Sequence, residues 1–273
     1  MKMRLFNTLY KNITTQKQQS MIELNKIYNE DCLEGMKRIP DGSVDCIVTS
    51  PPYNFCLRVH DNKYIKKGKN EVMAGLAVNK YTNGLSDSLD MNSYFEWQCK
   101  CIDEMLRVCS GTVFYNIQMI TGNKQALLKI IGRYSESIRD ILIWDKKGAE
   151  PAMHAGCLNS EYEFIIAFEN GDCKGRMFKT LQAGRGEMSN VIRIGKNREN
   201  EHRAAFPVQL PQCLISQFTP PDSLILDPFM GSGTTAIAAI REKRNFIGFE
   251  KSEEYWRKSM ERIRNELSQP TLF

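Results

Sequence analysis

The sequence predicts an α/β protein in which a mostly parallel sheet carries helices on both faces. Three observations lead there. Short apolar runs alternate with stretches of helical period along most of the chain, the pattern of strands joined by helices. One apolar run, Leu224-Ile225-Leu226-Asp227, breaks into the turn Gly231-Ser232-Gly233 and then into a helix-forming stretch from Thr234. Another, Val44 to Val48, ends in Thr49-Ser50-Pro51-Pro52-Tyr53-Asn54, where two prolines remove backbone donors and force an extended turn.

The elements follow in order. Ile22 to Asn29 reads as a strand, and Cys32 opens a short helix before the strand that ends at Ser50. Phe55 to Leu89 is rich in Lys, Asn and Gly and reads as loop. Met91 to Cys109 sets Tyr94, Trp97, Cys101, Met105 and Val108 on one face of a helix. A strand over Gly111 to Ile117 and a helix over Lys124 to Tyr134 come next. Ile138 to Trp144 and Tyr162 to Phe168 are apolar strands. Gly171 to Arg203 is polar and basic and reads as an inserted recognition segment. Pro207 to Phe218 is a helix with proline near its first turn. Ser223 to Leu226 and Asn245 to Phe249 are strands around a helix over Thr234 to Arg241, and Glu253 to Leu267 is a final amphipathic helix. The expected organisation is a polar arm over 1–20 and one domain over 21–273, with a basic loop at 55–90 and the recognition insert at 171–203.

Composition narrows the class. Hydrophobic residues make up 42% and charged residues 25%, ordinary for a soluble globular chain. No apolar run approaches the roughly 18 residues of a membrane span, and Met1 to Ser20 lacks the apolar core of a secretory signal. Nine cysteines lack metal-type pairing, and His60, His154 and His202 lie far apart, so free thiols in a reducing cytoplasm and no metal site are expected. The net charge is +5, and the stretch from Asp172 to Arg203 alone holds eight basic against four acidic side chains. Arg58, Lys63, Lys66, Lys67 and Lys69 form a second basic cluster. Clustered bases on loops suit a polyanion, or else a solvated surface.

The proline turn places polar acceptors, Ser50 Oγ and the Pro51 carbonyl, beside the flat ring of Tyr53 at a strand's carboxyl end. That is a receptor for a planar group bearing an exocyclic amine. The glycine turn lacks both the third glycine of a dinucleotide fingerprint and the Lys of a phosphate loop, so its ligand is not held through a pyrophosphate. Asp227 at this turn suits a cationic group such as an ammonium. Glu250, ending the next strand, suits the two hydroxyls of a ribose, or else caps the helix beyond Lys251-Ser252. Asp31 either accepts from an adenine amine or caps the helix that Cys32 begins.

These residues together resemble the amino-methylating DNA methyltransferases, which modify cytosine N4 or adenine N6 with S-adenosylmethionine (SAM). Ser50-Pro51-Pro52-Tyr53 is similar to their catalytic motif, and Asp227-Pro228-Phe229-x-Gly231-Ser232-Gly233-Thr234-Thr235 to their SAM motif. The catalytic motif comes first, as in the circularly permuted β class, and His202 to Leu214 is similar to that class's cofactor-flanking helix. The resemblance implies a Rossmann-like fold with a mostly parallel seven-stranded sheet. It implies Asp31 and Cys32 near the SAM adenine, Glu250 on the ribose, and Asp227 and Phe229 near the methionine part. Thr234 and Thr235 would donate to the carboxylate at the helix start, or simply cap the helix.

Chemistry then follows from the motif. An exocyclic amine is a poor nucleophile because its lone pair is delocalised into the ring. Acceptors at Ser50 and Pro51 would hold its hydrogens, aim the lone pair at the methyl, and allow direct transfer by positioning and electrostatics. Tyr53 would stack on a base flipped out of the duplex. Carbon-5 methylation needs a Pro-Cys nucleophile, and the chain has no such dipeptide. Ser rather than Asp at position 50 favours N4-cytosine, with N6-adenine the alternative. RNA or protein-glutamine methylation and a non-catalytic DNA-binding relic are more distant readings. Arg176, Lys179, Arg185, Arg193, Lys196 and Arg198 are candidates for reading base edges, and Arg58, Lys63, Lys66 and Lys67 for phosphate contact. The expected partner is duplex DNA in a bacterial or phage-infected cytoplasm, at the nucleoid. The resemblance also allows a homodimer and a separate restriction endonuclease.

Overall fold

The computed structural model describes residues 22–55, 57–60, 63–66, 89–151, 155–171, 173–196 and 206–268. The predicted arm over 1–20, and Lys67 and Arg198 of the basic clusters, lie outside them.

Eight strands form one sheet: β1 (Lys26–Tyr28), β2 (Val44–Thr49), β5 (Cys109–Ile117), β6 (Ile138–Glu150), β7 (Ser160–Glu169), β8 (Val191–Arg193), β9 (Leu224–Asp227) and β10 (Asn245–Phe249). Their order across the sheet is β1-β10-β9-β2-β5-β7-β6-β8. Only β7 runs antiparallel to its neighbours; all other adjacent pairs are parallel. The mostly parallel sheet is therefore as expected, with one strand more than the seven predicted. The extra strand, β8, is three residues long and sits inside the segment read as an insert. Val191-Ile192-Arg193 is too short for its alternation to stand out, and the outer edge beside β6 supplies the pairing.

A second departure lies in the predicted loop at 55–90. β3 (Leu57–His60) and β4 (Lys63–Lys66) pair antiparallel in a separate two-stranded sheet. The alternation Leu57-Arg58-Val59-His60 and the β-forming pair Tyr64-Ile65, around the turn-forming types Asp61 and Asn62, are a hairpin signal that the high lysine content obscures.

Period-two alternation along the strands sorts the core into two layers. On one face Cys46, Val48, Phe114, Leu142, Trp144, Ile165, Ala167 and Ile225 pack under the helices α4 (Gln209–Phe218), α5 (Thr234–Arg241) and α6 (Glu253–Ser268). On the other, Ile47, Val113, Tyr115, Ile166, Phe168, Leu226 and Phe249 pack under α1 (Cys32–Met36), α2 (Met91–Val108) and α3 (Lys124–Arg133). The central strands β2, β5, β9 and β10 are thus buried on both sides, which is why their runs read as continuously apolar. Asp90 caps α2 by accepting from the amides of Asn92 and Ser93, at 3.1 Å each.

Candidate active site

Five adjacent strands bring the predicted residues, and one not predicted, to one edge of the sheet. The chain leaves β1 into Asp31, β10 into Glu250, β9 at Asp227 and β2 into Ser50, while β5 contributes Asn116 near its end. All five are parallel, so these are their carboxyl ends, where an open α/β sheet binds ligands. The two motifs, 177 residues apart between Ser50 and Asp227 in sequence, are joined directly: Thr49 Oγ1 donates to Asp227 Oδ1 at 2.5 Å.

Asp227 is 2% exposed. Its other oxygen accepts from Thr235 Oγ1 at 2.6 Å, and Oδ1 also accepts from the Phe229 amide at 3.0 Å. Burial pushes its carboxyl up to about 6, against the hydrogen bonds from Thr235, Thr49 and Phe229 that favour the charged form. The predicted role for Thr235 needs correcting here. Its hydroxyl is fully buried and turned inward, onto Asp227 and the Val48 carbonyl, because α5 packs directly on the sheet. Thr234 is also buried, with Oγ1 3.3 Å from Arg262 Nη1.

The turn itself is open. Gly231 has φ +54, and a Cβ there would meet only the Phe229 carbonyl at 3.9 Å, so a ligand can approach the backbone. Gly233, at φ +86, has the opposite reason: a Cβ would lie 3.0 Å from that of Ser259, on α6. Pro228 and Ser232 are buried, and Arg262 of α6 donates to the Ser232 carbonyl at 2.7 Å and hydroxyl at 2.8 Å. Arg262 thus ties the turn down; sequence reading missed it because a cation on an amphipathic helix is usually solvated.

Glu250 accepts from the amides of Gly231 at 2.8 Å and Ser252 at 2.7 Å, one on each oxygen. Burial raises its carboxyl. Each oxygen keeps a further lone pair for a hydroxyl. Asp31 caps α1 by accepting from the Leu33 amide at 3.0 Å and pairs with Lys251 Nζ at 3.2 Å. Cys32 is 5% exposed and its side chain lies in the core cluster with Met36 and Phe249. Phe229 is half-buried, with its ring edge-on to Trp97 of α2 at 5.6 Å. An open glycine turn beside a carboxylate with spare acceptor capacity fits a nucleoside with a charged amino-acid tail.

The proline turn is held from below. Tyr94 Oη donates to the Pro52 carbonyl at 2.7 Å, Gln98 Nε2 reaches the same carbonyl at 3.4 Å, and Tyr115 Oη donates to Gln98 Oε1 at 2.7 Å. Among the described residues nothing donates to the Pro51 carbonyl. Ser50 is half-buried, with Oγ 2.9 Å from Tyr53 Oη. Tyr53 is only 6% exposed; its hydroxyl donates to Glu163 Oε2 at 2.8 Å and accepts from Asn116 Nδ2 at 3.1 Å. Little of its ring is open, and half-buried Phe55, 5.6 Å away and tilted by 36°, extends the aromatic surface outward. Glu163, Asn116 and Phe55 were not singled out in the sequence; a glutamate at the mouth of an apolar strand looks like an ordinary solvated end.

The basic candidates divide. β7 descends from this edge, so Glu169 is at the opposite end of the sheet. Arg176 pairs there with Asp140 at 2.6 Å, and Lys179 gives its amide to Glu169 and its ammonium to the Asn170 carbonyl at 2.7 Å. The structure does not bring these two to the site. Exposed Arg185 lies on the stretch climbing from Gln182, bonded to Gln217 at the end of α4, to Asn190, bonded to Ile143. Arg193 and Lys196 do reach the site's end, Arg193 opposite Asp145 at 3.6 Å. Arg58, Lys63 and Lys66 lie on the hairpin.

A family model described as DNA methylase, its name covering both N6 and N4 targets, matches residues 44–261. The chain is 28% identical to the type II methyltransferase M.BglII of Bacillus subtilis over 268 residues, covering 85% of this chain and 67% of that protein. Among solved structures it is similar to the PvuII DNA methyltransferase, titled cytosine-N4-specific, with TM-score 0.66, 17% identity, and 93% of this chain and 89% of that one covered. It is also similar to M1.HpyAVI in complex with SAM, with TM-score 0.57, 22% identity, and coverage of 87% and 98%.

Proposed function

The chain belongs to the DNA methylase family, and from that premise we propose that it moves a methyl group from SAM to the exocyclic N4 amine of cytosine in duplex DNA. The observation that carries this reading is the Thr49–Asp227 hydrogen bond, which fastens the proline turn to the glycine turn at adjacent strand ends. A donor over Gly231 and an amine at Ser50 would then share one cavity.

The cofactor is SAM, which supplies an electrophilic methyl on a sulfonium and leaves as a neutral thioether. The residues around it act by binding and orientation. Glu250 would accept from ribose hydroxyls. The backbone at Gly231 admits the ligand, and Phe229 offers a ring beside it. Asp227 keeps the turn in register with β2. On the substrate side, Ser50 Oγ and the Pro51 carbonyl accept the amine hydrogens, and the aromatic surface of Tyr53 and Phe55 receives the base once extruded. From α2, Trp97 packs edge-on against Phe229 of the glycine turn and Tyr94 holds the proline turn.

Duplex DNA would lie across the carboxyl edge, where Arg193 and Lys196 run. We place the enzyme in the cytoplasm with the chromosome, acting beside a nuclease carried on a separate chain. Among the described residues no helix is long and apolar enough to cross a membrane.

The choice of cytosine rests on Ser50. Incubation of purified protein with SAM and DNA, followed by nucleoside mass spectrometry, should yield N4-methylcytosine. N6-methyladenine as sole product would overturn the base assignment and leave amine methylation standing.

A further inference from the structure

We propose that Glu163, braced by Lys146 and Asn116, is the anionic end of a hydrogen-bond chain through Tyr53 that makes the Ser50 hydroxyl an acceptor and takes up the proton shed by the target amine. The inference rests on the reading of the site as an amine methylase and adds three positioning residues to it.

The direction of the chain follows from counting protons. Glu163 Oε2 accepts from Tyr53 Oη at 2.8 Å and from Asn116 Nδ2 at 2.7 Å, and Oε1 faces Lys146 Nζ at 3.4 Å. A phenol has one proton, and here it points at the carboxylate. The contact of 2.9 Å between Ser50 Oγ and Tyr53 Oη must then be donated by serine. Asn116 Nδ2 also donates to Tyr53 Oη, at 3.1 Å, so the phenol oxygen receives two hydrogens and gives one. The serine proton is drawn inward and its lone pairs face out. A free serine hydroxyl can turn either way, and some of its orientations would offer a proton to the amine. The network removes that ambiguity.

Burial makes the arrangement effective. Tyr53, Asn116, Lys146 and Glu163 are all at most 9% exposed. Burial, and then the Glu163 charge, hold the Tyr53 phenol well above its usual range, so it relays rather than ionises. Asn116 cannot reverse its amide without setting an oxygen against the carboxylate.

In the transfer a nitrogen–carbon bond forms and a carbon–sulfur bond breaks, with its electron pair remaining on sulfur. The nitrogen then carries one proton too many. That proton passes to Ser50 Oγ as serine gives its own to Tyr53 and Tyr53 gives its own to Glu163, which ends neutral and later releases the proton to solvent.

Tyrosine labelled with carbon-13 at Cζ tests the chain in the protein without cofactor, where the Tyr53 resonance is the one lost in Tyr53→Phe. Glu163→Gln should move that resonance and lower kcat for methyl transfer about 100-fold, with KM for SAM and DNA unchanged. Since Glu163→Gln leaves Lys146 buried without a counter-charge, Glu163→Gln with Lys146→Met is made alongside; it should fold and stay as slow. A Tyr53 resonance that does not move, or kcat within threefold of wild type in either variant, would overturn the proposal. Absence of transfer to any DNA by the wild-type protein would instead sink the functional reading.

Discussion

β7 carries a buried glutamate near each end, on the same face of the sheet, with Ile165 and Ala167 between them. Glu163 and Glu169 are six residues apart, about 20 Å along a strand. Each faces a cation from β6. At the lower end Glu169 is fully buried, accepts from Arg139 Nε at 3.1 Å and Nη2 at 3.0 Å, from Thr112 Oγ1 at 3.0 Å and from the Lys179 amide at 3.2 Å. Every one of those donors belongs to the framework. At the upper end the cation is a lysine at a looser 3.4 Å, and the stronger bonds lead through Tyr53 to a half-buried serine. The same chemistry, a desolvated carboxylate, seals the fold at one end and is connected to the surface at the other. A closed network has all its partners inside; a working one leaves its last hydroxyl facing out.

The contrast is sharpest at Ser50. Ser50→Ala removes the outward acceptor and should lower kcat about 10²–10³-fold, with SAM affinity by calorimetry unchanged. A near-normal rate would mean that the upper network, like the lower one, is only structural. Arg139→Ala should do the reverse. It strands Glu169 without a cation, so denaturant titration should show a loss of about 3–5 kcal/mol while kcat per folded molecule stays the same. A fall in kcat there would erase the distinction between the two ends.

The joint between the motifs offers a pH test. The folded-state value of Asp227, about 6, lies above its ordinary 3.8. Between these values the folded protein holds a proton that the unfolded chain has released, so stability falls as pH rises from about 4 to 6 and stays lower above. The cost is at most about 3 kcal/mol, and Asp227→Asn should flatten that slope in thermal melts across the window. A slope unchanged by the substitution would assign it elsewhere. The smallest effect concerns DNA. Arg176→Ala, at the sealed end, should leave DNA affinity and its salt dependence as they are, whereas Arg193→Ala should reduce the salt slope by about one. Equal effects from both would mean that DNA reaches the lower end as well.

Much of this was legible beforehand. The proline turn and the glycine turn were readable because each depends on residues that act locally: prolines that cannot donate, glycines that tolerate φ above zero. Glu250 was readable because it directly follows a strand next to that turn. The hairpin at Leu57–Lys66 and the edge strand at Val191–Arg193 were not, since lysine-rich composition hid one and shortness the other. The recognition role spread evenly over 171–203 also depended on position alone; the chain from Asn170 to Lys179 closes the foot of the sheet, and only from Val191 on does it run at the site's end.

Sequence alone settled the fold class and the order of the two motifs, because strand period, turn residues and side-chain type are properties of neighbours in the chain. Tertiary structure decided which of several similar carboxylates and hydroxyls are occupied internally and which keep acceptors open. Thr235 and Thr49 turned inward to Asp227, Cys32 turned into the core, and Glu163 came to stand behind Tyr53, 110 positions earlier. Burial and proton direction are set by contacts between distant strands, and no local pattern encodes them.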